Sequence, residues 1–196
     1  MTGPRKTLCS QLFIETEKMP VVPNRSPSHI EVVPAGAEQE SVLANLLELY
    51  AHDFSEFHPL QLGADGRFGY QHLPLYWSDP NRCPFLIKVD GHLAGLALIK
   101  RSHSIIHGGA IWDVAEFFVV RAYRRRGVGI AVAHEAWKKF PGRWEVRVMK
   151  SNRTGSDFWL RTIHAFVGGP IEPVTIEKDG EHWQVFAFES TAIVQE

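Results

Sequence analysis

The sequence predicts an α+β domain built on a mixed, largely antiparallel, twisted sheet. Three observations lead there. Two strand-like runs double back at Asp90-Gly91 and at Asp179-Gly180, the dipeptide that best favours tight hairpins. Between those hairpins, helix-like runs alternate with strand-like ones and stop at Pro141-Gly142 and Gly168-Gly169. The resulting order, β-α-(α)-β-β-β-α-β-α-β-β, has no internal repeat and no low-complexity tract.

Residues 1–28 stand apart: MPVVPNRSPS carries three prolines in ten positions and no sustained period, which predicts a flexible extension ahead of one domain over 29–196. Leu12, Phe13 and Ile14 leave open a docked strand there instead. HIEVV (29–33) reads as a short strand ending at Pro34. Val42, Leu43, Leu46, Leu47 and Tyr50 then form the apolar stripe of an amphipathic helix. Residues 60–77 are turn-rich, with a short helix at most. FLIKVDGHLAGLALIKR (85–101) is the first hairpin, and AIWDVAEFFVV (110–120) a third long strand. A helix follows over 127–140, a strand over 143–149 and a helix over 152–167. PVTIE and HWQVFAF make the last hairpin, whose strands could meet a second chain in a homodimer.

Composition narrows the function. The chain has 196 residues, 44% hydrophobic and 22% charged, with a net charge of −1 and a pI near 6.8. A nucleic-acid binder would normally carry a dominant basic surface, so a nucleic-acid partner is not expected. Two distant cysteines, Cys9 and Cys83, fit a reducing cytosol and offer no disulfide framework. The ten histidines include no H-E-x-x-H or Cys/His set, so no metal is expected. No apolar run is long enough to span a bilayer, and the start lacks a signal peptide's apolar core. A cytoplasmic protein without a membrane partner is the expectation.

Against that neutral background, four arginines fall within RAYRRR (121–126), followed at once by Gly127-Val128-Gly129. A strand running into RRRGVG at the start of a helix suits a phosphate. The first turn of a helix has amide groups without intrahelical partners, the macrodipole adds partial positive charge, and glycine lets a ligand approach the backbone. Arg124, Arg125 and Arg126 add charge-assisted donors. A solvated basic turn would look the same from the hexapeptide alone. A P-loop would need Gly-Lys-Ser/Thr, which is absent, and the dinucleotide fingerprint would need glycine at Val132.

RRRGVG (124–129), preceded by a strand reading EFFVV, resembles the R/Q-x-x-G-x-G/A motif of the GNAT superfamily of acyl-CoA-dependent N-acyltransferases. NRTGSDFW (152–159) resembles that family's Asn-led helix after the fifth strand, and the element order over 29–196 follows the family's sheet. The resemblance implies helices on both faces and a splay between the fourth and fifth strands. It also implies acetyl-CoA as co-substrate, its pantetheine arm pairing with the backbones of Phe117, Phe118 and Val119. The pyrophosphate would lie on the amides of Arg125, Arg126, Gly127, Val128 and Gly129, with Asn152 bonded to the arm.

The implied activity is transfer of an acetyl group to a primary amine, of a small molecule or else of a protein or peptide, by direct attack in a ternary complex. Glu116 matches the acidic position before the family's strand bulge, so it is the candidate base; a structural carboxylate paired across the sheet is the other reading. Asp113, three residues earlier, should face the opposite side by strand alternation. An amide near Phe118 would stabilise the carbonyl oxygen. Where many relatives place a tyrosine to protonate the thiolate, this chain has Trp159 at the coenzyme site, whose indole is no usable acid; Ser156, Tyr123 or water would have to serve. That departure leaves open a catalytically weak module that senses an acyl-CoA or a metabolite. The family builds its acceptor pocket from the first helices and their loop, here with Asp53 and Glu56 on one helix face, then Tyr76 and Trp77. Acids beside aromatics suit a small cationic amine, though a solvated helix end over core aromatics has the same pattern.

Overall fold

The computed structural model describes residues 21–22 and 26–191. Most of the extension expected over 1–28, including Cys9, lies outside the described residues; of the rest, Val22 packs at the edge of the core and Ser28 donates its amide and hydroxyl to Asp90.

The strands are β1 (Ile30–Pro34), β2 (Arg82–Val89), β3 (His92–His103), β4 (Ala110–Val119), β5 (Gly142–Met149), β6 (Val174–Lys178) and β7 (Glu181–Ser190). They form one sheet in the order β1-β2-β3-β4-β5-β7-β6. The helices are α1 (Glu40–Phe54), α2 (Leu75–Ser78), α3 (Val128–Lys139) and α4 (Arg153–Val167). Both Asp-Gly hairpins turn as their sequences dictate, with left-handed backbone at Asp90-Gly91 and Asp179-Gly180.

Strand alternation sorts the core into two layers. Leu96 and Leu98 of β3, with Leu86 and Phe118, pack beneath Leu43, Leu46 and Leu47, the predicted stripe of α1. Ala97 and Ile99 point the other way, toward Trp137 of α3 and Trp159 and Ile163 of α4. Helices therefore cover both faces of the sheet, and the central strands are apolar on both sides.

Every neighbouring pair of strands is antiparallel except β4 and β5, which run parallel and are bridged only at Trp112–Trp144 and Asp113–Glu145. Beyond those two pairs the strands part. On one side β3 holds β4 from His103 to Gly95, and on the other β7 holds β5 along its whole length. A bulge adds to the divergence: Leu98 faces Glu116 and Ile99 faces Val114, so Ala115 is an extra residue that bends β4. The splay thus arises where two well-paired half-sheets, each twisting, share a short seam.

Gly95 marks how tightly β3 meets β4. A Cβ there would lie 2.0 Å from the Phe118 carbonyl oxygen, a backbone atom that cannot step aside. Gly95→Ala is expected to cost about 1–3 kcal/mol of stability in a urea titration; an unchanged midpoint would show that the two strands can part freely here.

Candidate active site

The chain leaves β4 through a short turn at Arg121–Tyr123, whose Tyr123 is buried, and enters α3. Arg125 (φ 59°) and Gly127 (φ 78°) are left-handed, which curls RRRGVG around the helix start. The first bond of α3 runs from the Ala131 amide to the Gly127 carbonyl, at 3.0 Å. The amides of Val128, Gly129 and Ile130 precede it, and Gly127 has no side chain to cap them. A Cβ on Gly127 would meet nothing within 4 Å, whereas one on Gly129 would press on the Phe158 ring at 3.1 Å. The loop therefore keeps open space on its outer side while Gly129 seats the helix on the Phe117–Phe158 stack. This geometry fits a phosphate group.

Arg124 is drawn away from that position. Its Nε donates to the Val119 carbonyl at 2.6 Å, and its guanidinium lies over the Phe118 ring. Its Nη2 bonds Asp53, which also takes two bonds from Arg121. Burial pushes the Asp53 carboxyl up, but the two arginines outweigh it and hold the group below the usual carboxylate range. Asp53 thus ties α1 to the arginine turn.

Backbone polarity along β4 follows from one bond. Val120 donates to Ala94 of β3 at 2.8 Å; by antiparallel alternation Phe118 also turns its amide and carbonyl toward β3. Phe117 and Val119 turn theirs into the gap, so the amide that faces it is that of Phe117 and not, as expected from the sequence, that of Phe118.

The gap opens into a cavity of about 480 Å³, bordered by Val114–Phe117 on one lip and Val146–Met149 on the other, then by Asn152 and Trp159. Asn152 caps α4 by accepting from the Gly155 amide at 2.8 Å, so its amide nitrogen is the group left to donate to a ligand. Trp159 is held by Phe117, Phe158 and Trp137. The Ser156 hydroxyl bonds the Asn152 carbonyl at 3.2 Å as part of the first helical turn and does not border the cavity.

At the far end of the cavity lies Glu116, which accepts from the Tyr70 hydroxyl at 3.0 Å and from Tyr50. Burial raises the Glu116 carboxyl above its ordinary range, against the opposing pull of those two hydroxyls. Burial, reinforced by the Glu116 charge, likewise lifts Tyr50 and Tyr70 well above the usual phenol value and Tyr76 to about 12. The phenols therefore stay protonated, and those of Tyr50 and Tyr70 donate to the carboxylate. Asp113 does not face away from Glu116: because Ala115 is extra, both acids stand opposite residues of one β3 face, Lys100 and Leu98. The bulge cancels the alternation that the sequence suggests.

The other expected acceptor residues lie elsewhere. Glu56 is exposed. Tyr76 is buried in the α1 layer, and Trp77 donates to the Ala35 carbonyl at 3.1 Å. None of Asp53, Glu56, Tyr76 or Trp77 borders the cavity; its walls on that side are Tyr50, Phe54, Phe68 and Tyr70. Tyr50 and Phe54 continue the apolar stripe of α1 by one turn, so periodicity alone reads them as core. Among the described residues, no group of three or more His, Cys, Asp or Glu could hold a metal ion, and no helix is long and apolar enough to cross a membrane.

A mixed sheet that splits beside an uncapped helix start, with a half-buried carboxyl bordering the split, defines an α+β domain whose open edge suits an extended anionic ligand. The chain belongs to the acetyltransferase (GNAT) family, whose model matches residues 43–162, more than half of its length. Its fold is similar to that of an acetyltransferase from Thermus thermophilus (TM-score 0.61, 13% identity, 84% of this chain and 99% of the other). It is also similar to a GNAT-family acetyltransferase from Streptococcus agalactiae (TM-score 0.64, 11% identity, 83% and 96%). A third similar structure is Arabidopsis thaliana NAA60 in complex with acetyl-CoA (TM-score 0.56, 15% identity, 82% and 98%). No curated protein sequence matches the chain.

Proposed function

We propose that the protein is an N-acetyltransferase that moves the acetyl group of acetyl-CoA onto the primary amine of a small molecule, by direct attack in a ternary complex. The observation that carries this reading is that the uncapped start of α3, the open edge of β4 and the cavity bordered by Glu116 lie on one splayed strand and the helix that follows it. The amides of Arg125 to Gly129 would hold the pyrophosphate, and the gap-facing backbone of Phe117 and Val119, with Asn152, would hold the arm. Bound acetyl-CoA supplies an activated thioester carbonyl, so that a C–N bond forms to the amine while the C–S bond breaks and free coenzyme A is released.

The chain's residues then have distinct tasks. Glu116, raised by burial, takes the proton from the attacking amine, directly or through water. Tyr50 and Tyr70 hold the carboxylate in place and remain protonated. The Phe117 amide points into the gap where negative charge develops on the carbonyl oxygen. Trp159 walls the gap and, having no acidic proton, leaves the thiolate to be protonated by solvent.

Calorimetric titration with acetyl-CoA, followed by assay of free thiol with a panel of primary amines, tests this. Micromolar binding and amine-dependent thiol release are expected. A second reading, an acyl-CoA sensor without turnover, rests on Trp159; binding without thiol release from any amine would favour it, and no binding at all would refute both.

A further inference from the structure

The two lips of the cavity, Val114–Phe117 and Val146–Met149, carry one more ionisable side chain, which the acetyl-transfer reading does not use. Counting from the last bridged pair, Asp113–Glu145, and leaving out the extra Ala115, Glu116 on β4 is level with Arg147 on β5. Both border the cavity, so a carboxyl and a guanidinium stand on its two lips.

Arg147 is held from below. Its Nη2 bonds the Oδ2 of Asp113, which is fully buried and also lies 3.6 Å from Lys100. The other Asp113 oxygen is buried with no hydrogen-bond partner. Two cations thus share one carboxylate. Such a cluster is poor material for stability alone, since a buried ion pair is often matched or bettered by apolar residues of the same volume. It does have a geometric consequence. A guanidinium presents five donors in a rigid fork, and the Asp113 bond fixes that fork while using one arm of it. Arg147 borders a cavity with the aromatic residues Tyr50, Phe54, Phe68, Tyr70 and Trp183 in its walls, and with Glu116, Lys178 and Asp179 as its other charged residues.

We propose that Arg147 is the anion receptor of the acceptor site, and that the acceptor is an amine that also carries a carboxylate on an apolar body. The amine lies toward Glu116, the carboxylate on the Arg147 fork, and the apolar body against the aromatic walls. Asp113 is a positioning residue that acts through Arg147. This rests on the acetyltransferase reading and narrows its acceptor to amino-acid-like molecules.

The test compares acids with their amides: L-phenylalanine, L-leucine and 4-aminobutyrate, each beside its carboxamide. Each is titrated into protein saturated with coenzyme A and assayed with acetyl-CoA. At least one acid should bind and react at least about tenfold better than its amide, the scale of a charge-assisted hydrogen bond. Arg147→Lys keeps a cation for Asp113 but loses the fork, and should raise KM for that acid about tenfold with the amide unchanged. The double variant Asp113→Asn, Arg147→Met leaves no unpaired buried carboxylate, only the partly exposed Lys100 ammonium without its partner, and should abolish the preference. Equal binding of acids and amides, binding of neither, or equal weakening of both by the variants would overturn the receptor. Failure of acetyl-CoA itself to bind is a separate result and would strike the acetyltransferase reading instead.

Discussion

Gly127→Glu is expected to weaken acetyl-CoA binding by at least about a hundredfold, or ~2.7 kcal/mol, with only a small loss of stability. The two effects separate because of where Gly127 sits. A Cβ at this position meets nothing within 4 Å, so the new side chain has room. The strain of a left-handed backbone at φ 78° costs about 1 kcal/mol in either ligation state and largely cancels from the affinity. What remains is charge: a carboxylate at the N-cap of α3 accepts the amides meant for the phosphates and repels the ligand. Gly127→Asn provides the control. Asparagine tolerates the left-handed region and carries no charge, so its affinity should fall far less. Calorimetry reads the affinities, and thermal melting checks that both variants fold. Affinity unchanged in Gly127→Glu would mean that the uncapped amides are not where the phosphates bind, and the arginine turn would be only a solvated loop.

Much of this architecture was legible because local rules and tertiary demands agree. The Asp-Gly turns need left-handed backbone and have the residues for it, and α1 buries the stripe that its period announces. The cradle was readable for the same reason: strand, glycine pair and helix start are consecutive in the chain. The acceptor end was not, because its geometry is set by residues far apart in sequence. Asp53 looked available for a cation, but Arg121 and Arg124, about seventy positions later, fold back onto it. Tyr50 and Phe54 looked like core, and only the splay of β4 from β5 gives them a cavity to face. The relation of Asp113 to Glu116 turned on a single inserted residue. In AEFF nothing distinguishes Ala115 from any other strand residue, yet the bulge there puts the two acids on one face.

That shared face makes Glu116→Gln the most informative single change, since it should move activity and stability in opposite directions. Loss of the proton acceptor is expected to lower kcat by about 10²–10⁴-fold. Glutamine keeps an oxygen to accept from Tyr50 and Tyr70, so the pocket should retain its shape. The stability effect follows from linkage. Burial raises the Glu116 carboxyl in the folded protein, whereas the unfolded chain ionises in the ordinary carboxylate range. Between those two values the folded state holds a proton that the unfolded state has released, so wild-type stability falls as pH rises through that window. Above it the protein bears the cost of a partly buried charge, increased by the nearby Asp113. Glutamine does not titrate. The melting temperature of Glu116→Gln should therefore match wild type below the ordinary carboxylate range, exceed it by a growing margin as pH rises through that window, and keep a constant lead above it. Its residual activity should also lose the rise with pH that deprotonation of Glu116 gives the wild-type enzyme. A variant that gains stability yet keeps wild-type kcat at every pH would make Glu116 a structural carboxylate. A variant that loses activity without gaining stability would mean that the buried charge is better solvated than its surroundings suggest, with water reaching the end of the cavity. Only both shifts together identify a carboxylate kept at a stability cost for the proton it takes from the amine.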